Sequence, residues 1–566
     1  MPLPAERLIR HDRLVTPATH RAVLVEPAAP VLLDAASRRV DGAWLGRPLA
    51  AWRAELRHEL NLDGPVVATG HQVEFFHAGV LAKVVAAHAL AARLAGRPVF
   101  FWVDCDEPRR GDLAVPQVTS RGVRRVTVPV PGFDARRPLE DQPDATRAEW
   151  LQFFASVTSL HEFGDRSALP AFARAWLTAP GAASGQDDPD PQGTGEDMPP
   201  RGTPREDARR GASRLGRSLA LPTGALANHR IDTVEAMVRA HRATEVALGL
   251  DRVQAVRVSR LCATASFRAF AAGLLLEARR GAECYNAAVL EYRRRHRVRA
   301  RGRPVPLLAI DTNRVEVPLW VLRRGEPRRR LYAEIDGERV RLLADDQPIG
   351  AVARSELVDA ATPGAPWPIE RDGWGLRPRA LTLSAFLRLF AADLFIHGIG
   401  GAKYDEVTEG FVGAYLGLTP APIGCVSATL HLPLPHSALG PADIAQARHA
   451  SRDLRYNPQR HLARVPDELR RERDELVRRS NELRAQRPTD HVARALVFRE
   501  LRRVNERLLA TDPWRAAQYD ERVAALESQW ALDRIALDRE YFFALHPLDS
   551  LQALVSDVRQ ALSVES

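Results

Sequence analysis

The chain has 566 residues, 45% of them hydrophobic and 27% charged, which is the balance of a globular protein with more than one core. No run of about 18 uncharged apolar residues occurs, so no membrane span is expected. The formal charge of +9 does not point to nucleic acid, because the basic residues are spread along the chain and mixed with acids rather than gathered with aromatics into a patch.

Nearly all the basic residues are arginine, and lysine occurs only at Lys83 and Lys403. A lysine surviving in such a chain suggests a role that a guanidinium cannot fill. The four cysteines, Cys105, Cys262, Cys284 and Cys425, lie far apart with no C-x-x-C pair, which fits a reduced compartment and offers no zinc cage. The first residues, MPLPAERLIRHDRL, carry no apolar signal region, so a cytoplasmic location is expected.

Residues 1–60 read as a proline-rich lead-in followed by a helix over about Pro48–Leu60. The stretch from Pro65 to Pro108 then organises the chain. An apolar run, Val66–Ala68, ends at Thr69-Gly70, an amphipathic helix spans about Gly79–Leu94, and a second run, Val99–Val103, stops at Asp104-Cys105-Asp106-Glu107. Strand, polar turn, helix, strand is the opening unit of a doubly wound α/β domain, in which ligands bind beyond the carboxyl ends of the strands. Thr69, Gly70, His71, Gln72 and His77 follow the first strand, and Asp106 and Glu107 follow the second, on that side. The helix start between them suits phosphate or carboxylate.

Neither G-x-G-x-x-G nor G-x-x-x-x-G-K-[ST] is present. His77-Ala78-Gly79 is similar to the start of the H-x-G-H motif of nucleotidyltransferases, with Val80 where the second histidine would stand. Neither H-x-x-x-H nor H-E-x-x-H occurs, and although His71, His77 and Asp106 are zinc-ligand types, no metal site is expected. Cys105 lies between Asp104 and Asp106, which should raise its pKa and argue against a thiolate.

Val123–Val130 alternates like a strand, and helices are expected over Thr146–Leu160 and Ser167–Leu177. Residues 179–213 are nearly free of large apolar groups and read as a disordered insertion. Residues 214–300 read as a helical core segment, with helices over Thr233–Leu248 and Ala263–Arg280 about an apolar run at Val253–Val258. Residues 301–373 read as a small β-rich connective subdomain, with strands over Pro306–Ile310, Val315–Val321, Arg330–Ile335 and Val340–Leu343. Residues 374–460 read as the second half of the core. There a helix over Leu383–Leu394 runs into His397-Gly398-Ile399-Gly400-Gly401, and another helix starts near Tyr404. Gly400 and Gly401 permit either close backbone approach to a ligand or a tight turn. Residues 461–566 read as a helical coiled-coil arm with a return segment, since Leu462, Leu469, Leu476 and Leu483 fall seven apart.

Thr69-Gly70-His71-Gln72, then Trp102 with an acidic cluster, then Leu376-Arg377-Pro378 and Gly400-Gly401, follow one another in the order and spacing of a known family. The chain resembles the cysteine-adding enzymes of bacillithiol biosynthesis, the BshC family. That family carries T-G-Q-Q after its first core strand, W-I-x-G-E-D-H-D after the second, then L-R-P and a G-G-P-x-E turn. The resemblance implies a Rossmann-like, nucleotidyltransferase-type core with inserted connective subdomains and a C-terminal coiled-coil arm that mediates a homodimer. It implies a ligase joining the carboxyl of cysteine to an amino-sugar conjugate such as glucosaminyl-malate, with activation of the acid through ATP or ADP chemistry. On this expectation His71, His77, Asp106, Glu107 and Lys403 are the catalytic candidates. Thr69, Gly70, Gln72, Lys83, Arg377, Gly400 and Gly401 are the candidates for binding substrate or anion.

The chain departs from the pattern at three places. His71 stands for the first Gln, Pro108 for the acidic motif's His, and Ala402-Lys403-Tyr404-Asp405-Glu406 follows the glycine turn. Another nucleotidyltransferase-like enzyme on the same frame, or an inactive binding or scaffold homologue, is the alternative.

Overall fold

The computed structural model describes residues 9–120, 122–179, 228–300, 302, 304–359, 362, 367–437 and 439–563. All but the first residue of the expected insertion at 179–213 lies outside them. Two compact units are present: Met1–Val115 with Val126–Leu432 and Arg539–Ser566, and Pro116–Arg125 with Pro433–Asp538.

The first unit is a mixed α/β domain around a six-stranded sheet. Its strands are β1 (Val23–Glu26), β2 (Val66–Gln72), β3 (Arg97–Val103), β4 (Gln254–Arg257), β5 (Leu394–His397) and β6 (Ile423–Ala428). They lie in the order β1-β6-β5-β2-β3-β4, with β1 antiparallel to β6 and the other five parallel. The chain therefore winds outward from β2 through β3 to β4, then returns to the other side of β2 for β5 and β6. The order reverses between β2 and β5, and such a reversal opens a crevice beyond the strand ends.

The sheet is buried on both faces, which is why its strands are apolar runs. Val66, Ala68, Val99 and Phe101 face a cluster with Trp52, Phe267, Phe270 and Phe390. Phe100 and Trp102 face the other way, onto Phe76 and His241. Helix α1 (Ala78–Arg93) packs on β2 and β6 beneath the C-terminal helix Leu548–Ser563. Being covered from both sides explains its run of alanines, since small side chains let both neighbours approach.

Several boundaries differ from the sequence reading for identifiable reasons. The expected helix Leu383–Leu394 is a helix only over Ala380–Phe386, followed by a π-helical stretch, Leu387–Ala391, and Leu394 opens strand β5. An apolar run buried on every side has no period, so helix and strand cannot be told apart in it. The helix expected near Tyr404 begins earlier, as α2 (Ile399–Leu416). Ala263–Arg280 holds the whole of one helix, Ala265–Leu276, and the start of another, Ala278–Arg295. Pro306–Ile310 is not a strand; only Ile310 bridges, to Val315. The expected meander has five strands, Arg314–Arg323, Arg329–Asp336, Arg339–Ala344, Gln347–Ala353 and Trp374–Pro378.

The second unit is helical. Helices Asp467–Gln486 and His491–Ala510 are joined by four residues and form a hairpin. Leu462, Leu469 and Leu476 meet Val504 and Leu508 in its seam. The segment Arg539–Ser566 belongs to the first unit.

Candidate functional site

Strands β2 and β5 end side by side, and each feeds a helix: β2 into α1, β5 into α2. The chain is held tightly here. Thr69 is buried and its hydroxyl donates to the carbonyl of Ile396 at 2.8 Å, locking β2 to β5. Gly70 is a glycine because β3 runs close by: a Cβ on it would lie 2.6 Å from the carbonyl oxygen of Phe101. Gly401 likewise faces the ring of His397, whose Nδ1 would be 2.5 Å from a Cβ, whereas Gly400 faces open space. Thr69, Gly70 and Gly401 thus let β2, β3, β5 and the start of α2 close together around the crevice.

Lys83 is buried one turn into α1 and bends back to donate to the Gly70 carbonyl at 2.7 Å. Its stem runs 3.7 Å from where a Cβ on Gly398 would be, so it lies under the start of α2. Burial pushes its ammonium down to about 8. Lys403, one turn into α2, is half-buried and makes no hydrogen bond or ion pair among the described residues. Both lysines act on the buried thiol of Cys425 in β6, which burial nevertheless pushes up to about 12. That sulfur is a thiol, not a nucleophile, at neutral pH. Burial likewise raises Cys105 well above its ordinary value.

Beside Lys83 stands His71. Burial, with Lys83 and His77 nearby, holds its imidazole well below its ordinary pKa, so the ring is neutral. Its Nδ1 faces only acceptors, the Glu74 carboxylate at 3.3 Å and the Gln72 carbonyl at 3.4 Å. Nδ1 therefore carries the proton and Nε2 the free lone pair. His77 is the N-cap of α1: its Nδ1 accepts from the N–H of Gly79 at 3.0 Å, and burial with Arg539 behind it holds the ring down to about 3. Its Nε2 lies 3.6 Å from Glu540.

The acidic pair after β3 is clamped from the meander. Gln72 donates to Asp106 at 2.6 Å, and Arg328 pairs with Asp106 and, at 3.4 Å, with Glu107. Arg328 in turn lies over the ring of Trp320. Arg377 is elsewhere. It forms a two-pronged pair with Glu140 at 2.7 Å on each arm and lines a polar cleft of about 670 Å³ with Asp232, Arg323 and Trp374. The structure thus gathers His71, Gln72, His77, Lys83, Asp106, Glu107 and Lys403 around the ends of β2, β3 and β5, and leaves Arg377 in a separate cleft.

Residues not singled out from sequence complete the cluster. Glu74 is a carboxyl pushed up by burial, while the exposed Arg109 acts electrostatically on His71, Glu74 and Tyr404. Beneath α2, burial alone would raise the Asp405 carboxyl, but Arg388 at 2.5 Å and His397 at 3.5 Å hold it well below the usual range. A lone arginine in an arginine-rich chain carries no signal, which is why Arg109 and Arg328 were not legible. Among the described residues no group of three or more His, Cys, Asp or Glu is arranged to hold a metal ion, and no helix is long and apolar enough to cross a membrane. No protein-family model matches the chain, and no curated protein matches it.

Proposed function

We propose that this chain is a ligase of the bacillithiol-synthesis type, joining the carboxyl group of cysteine to the amine of an amino-sugar conjugate such as glucosaminyl-malate on a Rossmann-like, nucleotidyltransferase-type core. One observation carries the reading. The two lysines of an arginine-rich chain stand at the strand-order reversal, one buried against the Gly70 carbonyl, the other without a hydrogen bond or ion pair among the described residues. A ligase that starts from a free carboxylate must hold anions and neutralise the charge that builds up on them. ATP would supply the activation of that carboxylate.

Lys403 and Arg109, which make no hydrogen bond or ion pair among the described residues, are the cations for its anionic groups, and Lys83 sets a positive charge behind them. The attacking amine has to shed a proton, and the free Nε2 of neutral His71 is the base that takes it, with Glu74 holding the ring. Asp106, held by Gln72 and Arg328, faces the same crevice as an anchor for the ammonium of the amino acid. The same reading makes the helical unit a coiled-coil arm for a homodimer. Its exposed Val492, Leu496, Phe498 and Trp514 support that part.

The test is direct. The full chain incubated with cysteine, glucosaminyl-malate and ATP should give the amide, detected by mass as the sum of the two reactants less water. Lys403→Ala should lower turnover at least tenfold with an unchanged melting midpoint. No product, together with no melting shift from ATP, ADP or cysteine, overturns the reading.

A further inference from the structure

Helix α2 starts with its backbone donors unused. Its N-cap is Gly398, which has no side chain to offer, and the N–H groups of Ile399, Gly400 and Gly401 make no hydrogen bond with protein among the described residues. They project from the positive end of the helix. There is room in front of them, since a Cβ on Gly400 would meet nothing within 4 Å. An uncapped helix start by itself identifies no ligand. The side chain beneath this one does.

His397 closes strand β5, and only 9% of its side chain is exposed. Its two nitrogens differ. Nε2 is sealed from solvent and faces the Asp405 carboxylate of α2 at 3.5 Å. That carboxylate is held by Arg388 of the π-helical stretch, which also pairs with Glu409 at 2.9 Å and donates to the Ala421 carbonyl at 2.7 Å. Facing an anion that can only accept, Nε2 carries the ring proton. Nδ1 has no hydrogen-bond partner among the described residues and lacks the complete burial of Nε2. It lies against the first turn of α2, where a Cβ on Gly401 would be 2.5 Å away. The stem of Lys83 passes Gly398 nearby, the further charged group at this end of β5. A lone pair on a nine-tenths buried ring thus stands beside the unused N–H groups, and buried polar atoms ordinarily have partners.

Those two features select the ligand. Helix N–H groups call for anionic oxygens, and Nδ1 calls for a proton. A carboxylate or a sulfate at neutral pH brings the first without the second. Hydrogen phosphate brings both, because one of its oxygens is protonated while the others carry charge. We infer that the start of α2 binds a phosphoryl group, with Ile399, Gly400 and Gly401 donating to its oxygens and one proton held between it and Nδ1 of His397. The inference deepens the ligase reading and rests on it for the source of the phosphate, which is ATP. The binding test itself needs no turnover.

At pH 8 hydrogen phosphate and sulfate are tetrahedral dianions that differ by that proton, so the full chain is titrated calorimetrically with each. Phosphate should bind about tenfold more tightly or better, the worth of a hydrogen bond to a charged group. Gly400→Asp sets a carboxylate before the helix start, where there is room for it. It should weaken phosphate about tenfold or more without lowering the melting midpoint, because an acid in the first turn suits the helix dipole. His397→Leu should bring phosphate down to the level of sulfate. If that variant fails to fold, the ratio on the unaltered chain and the Gly400→Asp result still decide the matter. Displacement of phosphate by ATP identifies the ligand as a nucleotide's terminal phosphate, and retention beside bound ATP identifies it as free phosphate. Equal binding of the two dianions overturns the inference, as does phosphate binding untouched by Gly400→Asp. Phosphate bound with no amide formed removes the ligase reading and leaves the site. Amide formed by a chain that binds no phosphate removes the site and leaves the reading.

Discussion

Lys83 shows how one side chain is set by its surroundings. A buried ammonium with one carbonyl partner is short of solvation, and the protein answers by easing its proton away: burial pushes it from 10.5 down to about 8. Between those values the unfolded chain holds a proton that the folded chain has released, so stability rises with pH across that window on account of this residue. A tenfold change in proton equilibrium is worth about 1.4 kcal/mol, which makes the whole window roughly 3 kcal/mol. Lys83→Met removes the effect. In urea titrations the stability advantage of Lys83→Met over the parent should therefore be largest at pH 7 and shrink by a few kcal/mol by pH 10.5. An advantage that stayed constant would show Lys83 to be as well solvated folded as unfolded. The residue was visible in sequence as one of two lysines; its burial was not, because helix periodicity names a face only when part of the helix is polar.

Strand β2 shows the same at the level of an element. Its apolar run and the turn after it were legible, since a strand buried on both faces reads as a continuous hydrophobic stretch. The reason for Gly70 was not. From sequence it stood as a ligand contact, whereas in the fold it lets β3 close against β2, with a Cβ reaching within 2.6 Å of the Phe101 carbonyl. Gly70→Ala should therefore cost on the order of 1–3 kcal/mol through strain in the strand pair. Calorimetry should show a lowered melting midpoint, and the Lys83–Gly70 contact should be disturbed with it. An unchanged midpoint would mean that the pair yields without strain. Strand β5 went the other way: its first residue, Leu394, read as the end of a helix and Phe395 and Ile396 were left unassigned, because three apolar residues entering a glycine turn carry neither period.

Across the whole molecule two expectations follow. Four histidines from distant segments meet in the first unit: His20 accepts from the N–H of His431 at 3.1 Å, His161 lies against the Leu545 carbonyl at 2.6 Å, and fully buried His546 is close enough to feel all three. Burial holds His546 down to about 3 and lowers His161 as well. The unfolded chain takes up these protons as pH falls below about 6.5 and the folded chain does not, so stability is present above that value and is lost between it and about 3. Melting midpoints should fall steeply from pH 6.5 to 4, and His546→Phe should flatten the slope. An equal slope in both would exclude the cluster as the cause. The second expectation belongs to the helical unit. Light scattering should give a dimer for the full chain and a monomer when Pro466–Leu537 is replaced by a short linker. A truncated chain that remained dimeric would move the contact elsewhere.

What the sequence determined by itself was local. The strand–turn–helix–strand unit of Pro65–Pro108, three of the four strands expected within 301–373 and the helix carrying Leu469, Leu476 and Leu483 each follow from a pattern within a single window, and each is present as an element. The two lysines stood out by composition alone. The tertiary structure alone decided which strand lies beside which. Only it brought His397, Asp405 and Arg388 under one helix start, and only it took Arg377 from the crevice to a cleft of its own. Those outcomes depend on pairings between residues hundreds of positions apart. No local pattern encodes such pairings, because the energy that selects them is the burial shared by two segments and belongs to neither.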